Sequence, residues 1–195
     1  EPVAFAHAQG VVHRDLKPAN VMIGAFGEVL VLDWGVARAI DAGPAGSVVP
    51  SGDPETASPV VNGHTEPGTI LGTRGFMAPE QASGVAGAAD PRTDIYGLGA
   101  ILFTLLSSEV PPPDQSARET RLRDRNLEVP RPLRAVCAKA MAPLAGDRYG
   151  SAVALAAEVA RFRAGDPVSA YREPVIERVW RLARKYRVAV LLVLA

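Results

Sequence analysis

Four side chains able to handle protons, anions and hard cations stand close together near the start of this chain. Asp15, Lys17 and Asn20 lie in the run His13-Arg14-Asp15-Leu16-Lys17-Pro18-Ala19-Asn20, and thirteen residues after Asn20 comes Asp33, in Asp33-Trp34-Gly35. A carboxylate can take up a proton, an ammonium group can balance developing negative charge, and carboxylate and amide oxygens suit a hard divalent cation. The spacing has a local meaning too. Val21-Met22-Ile23 and Val29-Leu30-Val31-Leu32 are short β-prone runs on either side of Gly24-Ala25-Phe26-Gly27, which predicts a β-hairpin. A hairpin there puts Asn20 just before one strand and Asp33 just after the other, so the two polar groups share one end of it.

The remaining elements follow from periodicity and breakers. Residues 3–9 read as the last turns of a helix capped by Gly10. From Asp41 to Pro67 the chain is rich in Gly, Pro, Ser, Thr and Asp with no apolar period, which predicts a long loop. Helical signals return at Pro79–Ala82 and strengthen over Thr93–Leu106, a segment apolar nearly all round and therefore suited to the centre of a helical lobe, with Pro111 to Pro113 as its stop. Further helices are predicted over Pro132–Met141 and Ser151–Arg163, with Gly165-Asp166-Pro167 ending the folded unit. Strand and helix do not alternate, so the expectation is an α+β, mostly helical fold and not a doubly wound sheet.

Eight contiguous positions from His13 to Asn20, with Asp-x-Gly at the right distance, resemble the catalytic loop and metal-binding motif of the protein kinase family. The resemblance implies the C-terminal lobe of a serine/threonine kinase, with the hairpin beside the catalytic loop and the N-terminal, ATP-binding lobe absent from these residues. It implies ATP and Mg²⁺ as cofactors and serine or threonine residues of proteins as substrates. On that match Asp15 accepts or orients the proton of the substrate hydroxyl, Lys17 stands near the γ-phosphate as in Ser/Thr kinases, and Asn20 and Asp33 hold metal. His13 packs beneath the loop in this family and is not expected to be a ligand. Trp34 stands where most kinases have Phe, which leaves the metal ligand intact and alters the side chain that sets the switch.

A second block, Gly72-Thr73-Arg74-Gly75-Phe76-Met77-Ala78-Pro79-Glu80, resembles the close of the kinase activation segment, which would run over residues 33–80. Thr73 matches the threonine that contacts the catalytic Asp and Lys, Glu80 the glutamate of a buried ion pair, and Arg148 that pair's arginine. Asp94 matches the aspartate that hydrogen-bonds the catalytic-loop backbone. Arg14, next to Asp15, implies switching by phosphorylation, because a phosphate brings about two negative charges that pair with such an arginine. Thr65 and Thr69, a few residues before Gly72, are the candidate phosphosites; Ser47, Ser51, Thr56 and Ser58 read as spacer. The stretch from Ser107 to Arg125 is shorter and more charged than the pattern, so substrate docking is not carried over.

Composition narrows the alternatives. An apolar fraction of 48% is enough for a buried core, and the 21 basic and 21 acidic residues cancel. Five of the basic residues (Arg178, Arg181, Arg184, Lys185 and Arg187) crowd into the last eighteen positions, so a mildly acidic body carries a basic tail and shows no nucleic-acid footprint. Cys137 is the single cysteine, has no partners at metal-ligand spacing and reads as a core thiol. Val188–Ala195 is wholly apolar; eight residues are too few for a bilayer, which needs about 20. With its basic flank and with Trp180 and Tyr186, however, this run predicts the start of a transmembrane helix at 188–195 behind a basic juxtamembrane segment at 171–187. The whole is similar to bacterial transmembrane Ser/Thr kinases, with a kinase lobe at 1–170 in the cytoplasm and an anchor in the inner or plasma membrane. A terminal docking helix is the other reading of the tail.

Other expectations differ in class. A pseudokinase or scaffold would keep the fold and signal by docking, though it has no chemical need for Asp15, Lys17, Asn20 and Asp33 together. An incomplete, marginally folded product is a third. No glycine-rich phosphate loop or ATP-positioning lysine occurs in these residues, so the chain alone is expected to be inactive.

Overall fold

Helix α1 (Pro2–Ala8) begins with proline at its first position, where the missing N–H costs nothing, and stops before Gly10, whose φ of 73° suits a residue without Cβ. A computed structural model describes residues 1–40, 75–83, 89–124 and 127–185, with only the backbone of Trp180, Leu182, Arg184 and Lys185. Two antiparallel ladders follow α1. Strands β2 (Val21–Ile23) and β3 (Val29–Val31) form the predicted hairpin, in the register Val21↔Val31, Met22↔Leu30 and Ile23↔Val29. Gly27 turns its loop at φ 85°, and the Leu32 amide donates to Asn20 O at 2.9 Å, closing the end where the polar groups sit. The second ladder pairs β1 (Val11–Val12) with β4 (Arg38–Ala39) and brackets the hairpin.

The rest is helical: α2 (Pro79–Ala82), α3 (Arg92–Ser107), α4 (Gln115–Leu122), α5 (Arg131–Ala140), α6 (Ala152–Arg163) and α7 (Val175–Lys185). Helix α3 is the axis, and its apolar circumference is matched by burial on both sides. Ile95 packs with Val3, Leu16, Val136, Tyr149 and Leu155, while Tyr96, Ala100 and Phe103 pack with Leu122, Cys137 and Met141. Gly97 and Gly99 let neighbours approach closely. A Cβ on Gly97 would stand 2.8 Å from Leu16 Cβ, and one on Gly99 2.8 Å from Ala140 Cβ.

Two boundaries differ from the sequence expectation. Helix α3 is stopped by Ser108 in the left-handed conformation (φ 59°), its amide donating to Thr104 O at 2.7 Å, so Pro111 to Pro113 follow the stop without causing it. Nor does the fold end at Gly165–Pro167. Val168 is a core residue, and Glu158 of α6, itself buried, accepts hydrogen bonds from the Ser169 and Ala170 amides at 2.6 and 3.4 Å and so draws the next segment back onto the lobe. Ser151, the predicted start of α6, is its N-cap, accepting from Ala154 N at 3.1 Å. The predicted segment from Val188 lies outside the described residues; among those described, no helix is long and apolar enough to cross a membrane.

Candidate active site

The loop between β1 and β2 is held from α3. Asp94, 1% exposed in the first turn of α3, accepts from His13 N through Oδ2 and from Arg14 N through Oδ1, both at 2.8 Å. Its Oδ2 also meets His7 Nε2 of α1 at 2.7 Å, and His7 Nδ1 is buried with no partner among the described residues. Arg14 has φ 73°, a region that a long side chain occupies only at a cost of about 1–3 kcal/mol. Both of its backbone polar groups are pinned: N–H by Asp94, and C=O by Gln81 Nε2 at 2.8 Å. These two bonds offset the strain and fix the direction in which the chain presents Asp15.

Asp15, Lys17 and Asn20 meet. Lys17 Nζ lies 2.7 Å from Asp15 Oδ2, and Asn20 Nδ2 donates to Asp15 O at 2.8 Å and to Asp15 Oδ2 at 3.1 Å. The short 3₁₀ turn Pro18–Asn20 swings Asn20 back under Asp15, where it is 6% exposed. With the amide nitrogen committed to Asp15, the Oδ1 oxygen is the end left over. His13 joins this group to the hairpin end. Its Nδ1 accepts from Asp15 N at 3.2 Å, which leaves Nε2–H to donate to Leu32 O at 2.9 Å, and the ring is fully buried. This environment is a packing one, with no metal-ligand geometry.

Asp33 follows directly, with φ 60° and an exposed carboxylate. Trp34 packs edge-on against His13 at 4.6 Å, and its Nε1 donates to Val31 O at 2.9 Å, so the ring braces the turn. A Cβ on Gly35 would come within 3.3 Å of Asp33 Oδ1. No cluster of three or more His, Cys, Asp or Glu suited to a metal occurs among the described residues. An amide oxygen and one free carboxylate nonetheless fit Mg²⁺, which commonly takes one or two protein oxygens and completes its octahedron with water and phosphate.

Behind the loop, Glu80 of α2 and Arg148 form a bidentate pair, both N···O distances being 2.7 Å, and the Arg148 side chain is fully buried. Thr93 Oγ1 adds a bond to Glu80 at 3.2 Å, and Arg148 also donates to the Arg92, Ala142 and Pro143 carbonyls. Burial is the largest influence on the Glu80 carboxyl and resists its ionisation. The hydrogen bonds from Arg148 and its neighbours together outweigh burial and hold it below the usual glutamate range. Thr65, Thr69 and Thr73 lie outside the described residues.

Residues 1–147 match the model of the protein kinase domain. The chain belongs to the protein kinase family. Its similarity reaches bacterial serine/threonine-protein kinases named PknD. That of Chlamydia trachomatis serovar D is 35% identical over 179 residues, covering 85% of this chain and 19% of the relative. The Chlamydia caviae protein is 33% identical over 174 residues, covering 85% and 18%, and the Protochlamydia amoebophila protein 47% over 111 residues, covering 57% and 11%. The chain thus spans less than a fifth of the length of these curated relatives.

Within this kinase lobe, three contributors escaped the sequence reading. Gln81 and Arg38 act on Arg14 of the His13–Asn20 loop, and His7 acts on Asp94, which holds that loop. Arg14 is the telling case: burial is the main cause that lowers its pKa, the like charge of Arg38 adds to that, and Asp94 opposes it. Gln81 next to Glu80 was the one partly visible signal, as an amide in the first turn of a short helix.

Proposed function

We propose that this chain is the catalytic-loop lobe of a protein serine/threonine kinase that transfers the γ-phosphoryl group of ATP, in a Mg²⁺-dependent reaction, to Ser or Thr hydroxyls of proteins. The observation that carries the reading is the convergence of Lys17 and Asn20 on a single oxygen, Asp15 Oδ2. Asp15 orients the acceptor hydroxyl and takes up its proton, and the two donors on Oδ2 fix the carboxylate's orientation. Lys17, a quarter exposed, supplies positive charge beside the carboxylate, where negative charge builds up during transfer. Asn20 Oδ1 and the Asp33 carboxylate are the oxygens that would hold Mg²⁺. Bound Mg·ATP supplies the phosphoryl donor and neutralises its charge.

Three finer readings belong with this. The hairpin exposes apolar side chains on both faces, Ile23 on one and Leu30 on the other, with Phe26 in its loop 98% exposed, and such an apolar surface suits an upstream ATP-binding lobe as its partner. Arg14 and Arg38, two like charges brought close, suit a phosphate on Thr65 or Thr69 that would order the segment before Gly72. On α7, Val175, Ile176 and Val179 face outward while Glu177 and Arg181 bond to the body through Arg131 and Glu173. That arrangement, with the basic residues that follow, suits a membrane-proximal tail.

The test is transfer of radiolabelled γ-phosphate to a Ser/Thr protein acceptor by the full-length protein. Activity that disappears on Mg²⁺ chelation and returns on its addition is expected; transfer indifferent to chelation overturns the reading. The 195-residue chain alone should give no turnover, and phosphopeptide mapping should find phosphate at Thr65 or Thr69.

A further inference from the structure

A second site lies apart from the catalytic loop. A cleft of about 570 Å³ opens between α4 and α5, and its innermost lining residues are apolar: Phe103, Leu122, Cys137 and Met141, all nearly or fully buried. The volume falls in the range of small-molecule sites, about 300–1,000 Å³. Its charged lining is one-sided, four arginines (Arg118, Arg123, Arg131 and Arg134) against one acid, Glu119. Two of these arginines are accounted for: Arg123 pairs with Glu119 at 3.4 Å and Arg131 with Glu177 at 2.7 Å.

Arg118 is different. It is 6% exposed, and Nη1 donates to Tyr96 OH at 2.8 Å and more weakly to the Pro112 and Pro113 carbonyls at 3.4 and 3.5 Å, all neutral acceptors. No carboxylate pairs with it among the described residues. The adjacent Glu119 pairs with Arg123 instead, and Asp114, four residues before Arg118, acts on it only through space, since its Oδ2 is taken by Ala117 N and Ser116 Oγ at the start of α4. Arg134, half-buried on the cleft wall, likewise has no ion-pair partner among the described residues. Buried cations in proteins are ordinarily paired, because desolvation is costly. Here a buried, unpaired guanidinium lines a ligand-sized hollow with an apolar depth.

We propose that this cleft binds a single-chain amphiphilic anion, its carboxylate or phosphate headgroup on Arg118 and Arg134 and its chain against Phe103, Leu122, Cys137 and Met141. The Cys137 thiol stays protonated and serves as an apolar wall, since burial pushes its pKa up to about 12. This site is independent of the phosphotransfer reading and would stand if that reading fell.

Isothermal titration of the chain with laurate and dodecyl phosphate, below their micelle concentrations, tests it. Dodecanol, acetate and inorganic phosphate are the controls. Saturable 1:1 binding of laurate or dodecyl phosphate is expected, and whichever binds identifies the headgroup; dodecanol should bind at least about tenfold more weakly. Acetate and inorganic phosphate should not bind measurably. Arg134→Gln should weaken binding about tenfold and Ala138→Phe, which fills the cleft, should abolish it, with melting temperatures checked in parallel. The proposal is overturned if neither anion binds, if dodecanol binds equally well, or if folded Arg134→Gln and Ala138→Phe proteins bind as the parent does.

Discussion

Asp15, Lys17 and Asn20 were legible because each sits within five positions of the others, and a local turn alone can bring them together. Arg38 and His7 were not, since nothing in their own neighbourhoods marks them, and Gln81 was only partly so, beside Glu80: all three act across the fold, on Arg14 and Asp94. At this scale the Glu80–Arg148 pair is the sharpest energetic prediction. Glu80→Ala leaves the Arg148 guanidinium buried and unpaired and should cost about 3 kcal/mol, the low end for broken buried pairs because Glu80 itself is a third exposed. Urea unfolding measures it, and a loss near zero would mean that the carbonyl acceptors suffice. Cys137 should resist thiol reagents at neutral pH in the native protein and react at once in denaturant, as burial raises its pKa to about 12.

Among the elements, the hairpin and α3 announced themselves through β-prone runs and a long apolar circumference, and the structure has both close to where the sequence puts them. The β1–β4 ladder is two residues long on each side, too short for any periodicity to register, and it depends on chain closure between Val11 and Ala39. The stop at Ser108 eluded the sequence reading because a serine in the left-handed conformation carries no local signature comparable to glycine. The contact between α3 and the His13–Asn20 loop gives an element-scale prediction. Gly97→Ala places a methyl group 2.8 Å from Leu16 Cβ and 3.2 Å from Leu16 O, so the loop must shift. Phosphotransfer by the full-length variant should fall at least about tenfold, as small misplacements near a reacting centre do. Unchanged activity would show that the loop tolerates displacement.

For the whole molecule, acid sensitivity follows from buried Glu158 and half-buried Glu80. In Glu158, burial is again the largest influence and opposes ionisation, but bonds from Ser169 and Ala170 and the charge of Arg161 prevail and lower its pKa; Glu80 behaves alike. Groups whose folded pKa is depressed contribute fully above the unfolded glutamate value, about 4.3, and lose that contribution as pH falls through the folded value. Melting temperature should therefore drop on acidification below about pH 5, and Glu158→Gln should flatten that dependence while lowering the plateau at neutral pH. The central claim, that Asp15 carries phosphoryl transfer, is tested most directly by Asp15→Asn in the full-length protein, measured for γ-phosphate transfer to a Ser/Thr acceptor alongside its melting temperature. The account predicts a fall of about 10²-fold or more with the fold retained. Transfer within a few-fold of the parent by a folded variant would contradict it.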